Sequence, residues 1–190
     1  MAVDPYVDTK SGVLRNRLGI TDPQRLQEAE AGLTLAALAD LGARVLPGKY
    51  DLDHLRSFHR EIFGDIYPWA GEIRGVGIAR SDPFCLPQHI ESYSTDVFAA
   101  LATERCLRGL PRDSFLERLT HYFAEVNAIH PFREGNGRTQ RAFFRQLSRD
   151  AGWPIDWSAL DRDENIRAST ASLRGDNGPL RELLDSAVVR

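Results

Sequence analysis

His130-Pro131-Phe132-Arg133-Glu134-Gly135-Asn136-Gly137-Arg138-Thr139-Gln140-Arg141 joins two helical stretches, and the rest of the chain is read outward from it. On its N-terminal side Phe115, Leu116, Leu119, Tyr122, Phe123, Val126 and Ile129 recur at helical spacing and make one strongly apolar face. Pro131 disfavours helix in the residue before it, so that helix is expected to end near His130. A second helix is expected to begin between Asn136 and Arg138, to turn Phe143, Phe144 and Leu147 inward, and to stop at Gly152 and Pro154. The run is helix, short glycine-bearing loop, helix.

The residue types in that loop suit an anion site better than a packing segment. The first N–H groups of a helix have no partner inside it, and the helix dipole favours negative charge there. Gly135 and Gly137 let the backbone curl around an anion without a side-chain clash. Arg138 and Arg141 lie on the same side of the first turn, where both can reach one polyphosphate. Glu134, just before the helix, is placed to hold Mg²⁺ against the same oxygens. His130, across the loop, is placed to take a proton from an incoming hydroxyl. Together these residues imply a nucleotide-polyphosphate site with a general base at its edge. A zinc site fits poorly, because Pro131 and Gly135 interrupt any helix between His130 and Glu134 and no third ligand is near. A G-x-x-x-x-G-K-[ST] phosphate loop occurs nowhere in the chain.

The remaining sequence is expected to wrap this loop in helices. A chain of 190 residues with 42% hydrophobic and 27% charged residues suits one domain, residues 1–190, with a real core. Net charge is −3, so no global basic field draws nucleic acid. Cys85 and Cys106 form no CxxC pair, the N-terminus lacks a signal pattern, and no apolar stretch is long enough to cross a bilayer. A cytoplasmic protein without membrane or nucleic-acid contact is the expectation. Thr21, Pro23 and Gln24 mark a helix start, followed by Leu26, Ala29, Leu33, Ala36 and Ala37 at helical spacing. Asp51 opens a helix with Leu52, Leu55, Phe58, Ile62 and Phe63 inward, stopped at Gly64. Ile90, Tyr93, Val97, Phe98 and Leu101 make another, closed by Gly109 and Pro111, and Ser114 with Glu117 reads as a capping box. Between Tyr67 and Arg80, Gly71, Gly75 and Gly77 surround Ile73, Val76 and Ile78, which predicts a short β-hairpin. The tail from 151 to 190 predicts one or two short helices. The fold class is all-α with one small β element. His54, His59, His89 and His121 are assigned no role.

The twelve-residue run resembles the signature of the Fic family, H-x-F-x-(D/E)-G-N-G-R-x-x-R, at every fixed position. Phe63 to Arg74 is similar to that family's approach to its "flap" hairpin, and with Gly12 to Asn16 the likeness spans about residues 5 to 150. The resemblance implies a Fic-type helical core with a β-hairpin flap over about residues 73–87, a helical extension over 151–190, and transfer of AMP from ATP to a protein hydroxyl. It implies that His130 deprotonates the target and Glu134 binds Mg²⁺. Gly135, Asn136 and Gly137 would hold the α-phosphate, Arg138 and Arg141 the β- and γ-phosphates, and Phe132 would anchor the loop in the core. Arg80, Ser81 and Phe84 of the flap would dock an extended target segment by strand addition.

Many Fic proteins carry an inhibitory helix, (S/T)-x-x-x-E-(G/N), whose glutamate pairs with the second motif arginine, here Arg141. Ser57 to Glu61 comes nearest, but Ile62 follows where Gly or Asn belongs. The resemblance then implies a bacterial toxin restrained by a separate small antitoxin, with subunits of DNA gyrase or topoisomerase IV as protein substrates. A secreted effector module is the other context. The Doc branch of the superfamily, a phosphotransferase, has Ala-Asn-Lys-Arg in place of Gly-Asn-Gly-Arg. Gly137 stands where its lysine would, which favours AMP transfer and leaves Doc-like phosphotransfer as the alternative.

Overall fold

The computed structural model describes residues 4–79, 82–158 and 160–189. Among them the chain forms seven α-helices: α1 (Pro23–Ala43), α2 (Leu52–Phe63), α3 (Ile90–Thr103), α4 (Arg112–Ile129), α5 (Asn136–Ala151), α6 (Arg162–Leu173) and α7 (Gly178–Ala187). Helix α5 packs against α2 and α4, α3 lies along α4, and α6 and α7 pack on each other and on α4. None of the described helices is long and apolar enough to cross a membrane.

The predicted apolar faces of α2, α4 and α5 are the core. Phe143, Phe144 and Leu147 of α5 are fully buried, with Leu55 and Phe58 of α2 and Phe115 and Leu119 of α4 around them. Phe58, Phe98 and Tyr50 present ring edges to Phe143, the geometry that aromatic quadrupoles favour. Burying each such phenylalanine contributes about 2 kcal/mol. As expected, Asp51 caps α2, accepting from the His54 N–H at 2.8 Å, and α4 ends at Ile129. Gly152, in the left-handed region, ends α5.

Several local expectations are corrected. The cap of α1 is Asp22, which accepts from the Arg25 N–H at 2.8 Å, and not Thr21. Helix α4 starts two residues ahead of Ser114, with Pro111 as its cap, so Ser114 and Glu117 form no capping box. Helix α3 stops at Thr103, before a turn in which Arg105, Cys106 and Leu107 all have positive φ. Each left-handed L-residue costs about 1–2 kcal/mol, and full burial of Leu107 offsets part of that. On α1 the buried residues are Leu26, Thr34 and Leu41, while Leu33 is 39% exposed. Leucine and alanine occur all round that helix, so its sequence pattern does not select one face.

The expected β-hairpin flap is also corrected: among the described residues its segment contains no strand, only one antiparallel bridge, Ala79 to Pro83. Arg74, 1% exposed, turns its guanidinium to two carbonyls of this segment and so competes with a ladder for them. Its Nη1 donates to the Val76 carbonyl at 2.7 Å and its Nη2 to the Cys85 carbonyl at 2.6 Å. Pro83 also lacks the N–H that a ladder residue would donate. Arg80 and Ser81 lie outside the described residues.

Candidate functional site

The loop between α4 and α5 is held from three directions. Within the loop, Asn136 closes the turn: its Oδ1 accepts from the Phe132 N–H at 2.8 Å and its Nδ2 donates to the Phe132 carbonyl at 2.7 Å. Gly135 has φ +82°, and a Cβ there would stand 2.2 Å from Cζ of Phe63. Only glycine meets both demands. From α2, the fully buried His59 accepts the Gly71 N–H at its Nδ1 (2.8 Å) and reaches the Glu134 carbonyl with Nε2 (3.0 Å). A carbonyl only accepts, so Nε2 carries the proton and the ring is neutral. Its ring stacks on Phe132, centroids 3.9 Å apart. Burial pushes the His59 pKa down to about 4, with smaller pushes from Arg138 and Arg60 against the pull of the Glu134 carbonyl.

His130 sits at the end of α4 in the left-handed region, φ 46° and ψ 62°. Beneath it, Arg74 Nε donates to the His130 carbonyl at 2.7 Å and Nη2 to the Ile129 carbonyl at 3.3 Å. A cation at the C-terminal end of a helix is favoured by the dipole, and these two contacts tie the backbone of His130 to the 72–86 segment. Nδ1 of His130 lies 3.3 Å from the Asn127 carbonyl, and because a carbonyl only accepts, Nδ1 carries a proton there. The ring of Phe84 lies on the imidazole, centroids 3.7 Å apart.

Helix α5 starts at Asn136, and the first N–H bonded inside it is that of Thr139, to the Gly135 carbonyl at 3.1 Å. The N–H groups of Asn136, Gly137 and Arg138 precede it, as the anion-site reading requires. The Glu134 side chain is 45% exposed; its Oε1 accepts from the Gly135 N–H at 2.8 Å and lies 3.5 Å from Arg138 Nη2. The two motif arginines differ. Arg138 is ion-paired with Glu30 of α1 at 2.6 Å. Arg141 has no carboxylate partner among the described residues, and burial, with Arg138 beside it, pushes its pKa down.

His130 and the residues from Glu134 to Arg138, with Arg141, line one cleft of about 990 Å³, large enough for a nucleotide. Glu30 stands on the α1 wall, Ile78 and Phe84 on the wall of the 72–86 segment, and Asn165 and Ser169 on α6. The Oδ1 atom of Asn165 is buried without a hydrogen-bond partner among the described residues. The structure brings His130, Glu134, Gly135, Asn136, Gly137, Arg138, Arg141 and Phe84 together. Sequence reasoning missed Glu30, His59, Arg74 and Asn165. Phe63 to Arg74 carried the only signal, for Arg74, as the stretch leading into the flap.

A model of the Fic/DOC family matches residues 49–148. Protein adenylyltransferase VbhT of Bartonella schoenbuchensis is 43% identical over 182 residues, covering 95% of this chain but 38% of that protein, so the chain spans well under half of it. Probable protein adenylyltransferase Fic of Escherichia coli is 38% identical over 188 residues, covering 97% of this chain and 92% of that one. The N-terminal Fic domain of a VirB-translocated Bep effector from Bartonella quintana, solved with bound ADP, superposes with a TM-score of 0.89 at 28% identity. That superposition covers 97% of this chain and 94% of the other. Motif loop, helical core and relatives agree, and the chain belongs to the Fic/DOC family.

Proposed function

We propose that the chain is a protein adenylyltransferase that moves AMP from ATP to a hydroxyl side chain of a target protein. The observation that carries this reading is the juxtaposition, in one cleft, of His130, whose Nδ1 is turned to a backbone carbonyl, and the N–H groups at the start of α5. Nε2 of His130 takes the hydroxyl proton as the target oxygen bonds to the α-phosphorus. The bond from that phosphorus to the bridging oxygen breaks, and pyrophosphate leaves. N–H groups at the start of α5 hold the α-phosphate, and Arg138 and Arg141 hold the departing phosphates, where charge accumulates. Glu134 suits Mg²⁺, since that ion is commonly held by one or two carboxylates plus phosphate oxygens and water. When bound, the ion supplies charge neutralisation to the polyphosphate. Relatives at 38–43% identity are named as protein adenylyltransferases, which supports the same reading.

ATP labelled at the α- or the γ-phosphate tests it. The target should take label from the α position alone, and His130→Ala should abolish labelling. Label from the γ position alone would establish Doc-like phosphotransfer instead.

The reading extends to control and target. Glu61, the glutamate of the stretch nearest to an inhibitory helix, is ion-paired with Arg44 instead of Arg141. A separate antitoxin helix then supplies the glutamate that occupies Arg141. A cavity of about 190 Å³ between α1 and α5, lined by Leu38, Arg141, Arg145 and Trp157 among others, offers such a helix apolar and cationic contacts. By resemblance to antitoxin-paired Fic toxins, the substrates are type II topoisomerase subunits in the cytoplasm. Incubating purified gyrase and topoisomerase IV with the chain and labelled ATP checks this; failure to label either would remove that target class.

A further inference from the structure

Helix α1 presents Glu30 and Thr34, one turn apart on one face, to Arg138. The same face buries Leu26 and Leu41, so Glu30 and Thr34 are polar groups set into an otherwise apolar stripe. The Glu30 carboxylate, 14% exposed, accepts from Arg138 Nη2 at 2.6 Å through Oε1. Its Oε2 accepts from the hydroxyl of Tyr67, a residue 1% exposed. Burial, then the Glu30 carboxylate, pushes the Tyr67 pKa up, so the phenol keeps its proton and remains a donor. Thr34 Oγ1 accepts from Arg138 Nη1 at 3.2 Å, and the guanidinium lies over the Phe63 ring, 4.7 Å from its centroid. Arg138 is therefore held at both terminal nitrogens and on one face. Nη2 also lies 3.5 Å from Glu134 Oε1, Nε–H has no partner among the described residues, and Arg138 lines the cleft.

We infer that Glu30 is a positioning residue for the transfer step, aligning Arg138 with the phosphates that depart from the α-phosphorus. This rests on the adenylyltransferase reading. Glu30 has two opposed effects on a bound polyphosphate: its charge repels the ligand, and its grip orients the arginine that attracts it. In the ground state these offset, so affinity changes little when Glu30 is altered. In the transition state charge moves onto the leaving pyrophosphate, and an arginine held beforehand is worth most there.

Glu30→Gln keeps an acceptor for Tyr67 and removes the charge that orients Arg138; Glu30→Ala removes both. With Mg²⁺-ATP as the substrate, Glu30→Gln should lower kcat about ten-fold with KM for ATP within about three-fold, and Glu30→Ala should lower kcat further. Unfolding temperatures show whether each variant is folded. A folded Glu30→Gln with unchanged or raised kcat overturns the inference, the latter showing a brake, and so does a rise in KM with kcat intact. A readout independent of turnover is the Arg138 Nε–H resonance, assigned through its loss in Arg138→Lys. It should be distinct from those of solvated arginines and move toward them in Glu30→Ala; an unmoved resonance also overturns the role. A wild-type chain that fails to transfer AMP overturns the adenylyltransferase reading, whereas an active wild type matched by Glu30→Gln overturns only the role of Glu30.

Discussion

The ring of Phe84 lies nearly flat on the imidazole of His130, centroids 3.7 Å and planes 16° apart. The next residue, Cys85, donates its N–H to the Ala128 carbonyl at 2.9 Å, so this cover is anchored on the same helix end that carries His130. Stacking sets the plane of the imidazole and keeps water from one of its faces.

Phe84→Ala should destabilise the protein by roughly 3 kcal/mol through the cavity it leaves. Phe84→Leu should recover most of that stability while the AMP-transfer rate stays several-fold below wild type, because it restores apolar volume without a flat stack. Denaturant melts and initial rates on the two variants separate cover from stacking. Equal rates for Phe84→Leu and wild type would leave stacking without a role.

Arg74 places one cation under four carbonyls, those of Val76, Cys85, Ile129 and His130. Lysine keeps the charge but lacks the planar fork. Arg74→Lys should cost roughly 3 kcal/mol, about 6–12 °C in unfolding temperature, from carbonyls left without donors. The transfer rate should fall more than stability alone explains, since the His130 backbone is one of the anchored groups.

The two motif glycines should respond differently to alanine. Gly135→Ala combines a left-handed φ with a Cβ 2.2 Å from Phe63, so the loop must open and nucleotide-induced thermal stabilisation should disappear. At Gly137 φ is not positive and the nearest atom to a Cβ is the flexible end of Arg141 at 3.4 Å. Its alanine variant should stay folded within about 0.5 kcal/mol of wild type. A Gly135→Ala protein that melts and binds like wild type would refute the close approach.

His59 should make stability fall in acid. Its pKa in the fold is about 4 against an ordinary value of 6.5, so the unfolded chain takes up its proton first as pH drops. The contribution is fully present above about pH 6.5, declines down to about pH 4, and amounts to roughly 3 kcal/mol. His54, lowered chiefly by burial, acts in the same sense. Urea titrations at pH 7 and pH 4.5 should show a smaller pH effect in His59→Gln than in wild type. Parallel losses in both proteins would assign the acid lability elsewhere.

Arg141 is a cation kept partly buried without a carboxylate partner among the described residues, an arrangement that favours an anionic ligand over the empty protein. Arg141→Met should therefore raise the unfolding temperature of the nucleotide-free protein by roughly 2–4 °C, about 1 kcal/mol. It should also remove most of the stabilisation that Mg²⁺-ATP gives the wild type. Scanning calorimetry with and without nucleotide reads both signs at once.

The helices with one clear apolar face, α2, α4 and α5, were legible because their periodicity and their burial coincide. Helix α1 was legible as a helix but not in orientation, since Leu33 and Leu35 stay exposed while Thr34 turns inward. The 72–86 segment was misread as a hairpin because glycine and β-branched residues promise strand geometry. A buried arginine, whose alternative use of the carbonyls lies in tertiary space, decided otherwise.

By itself the sequence determined the loop and its chemistry. His130, Glu134, the glycines and both arginines are neighbours in the chain, so helix geometry alone brings them together. Tertiary structure alone decided what holds that loop in shape: Glu30 on Arg138, His59 on the Glu134 carbonyl and Arg74 on the His130 carbonyl. These contacts join residues 108, 75 and 56 positions apart. No local spacing encodes such contacts, because they exist only once burial has packed α1, α2 and the 72–86 segment around α5.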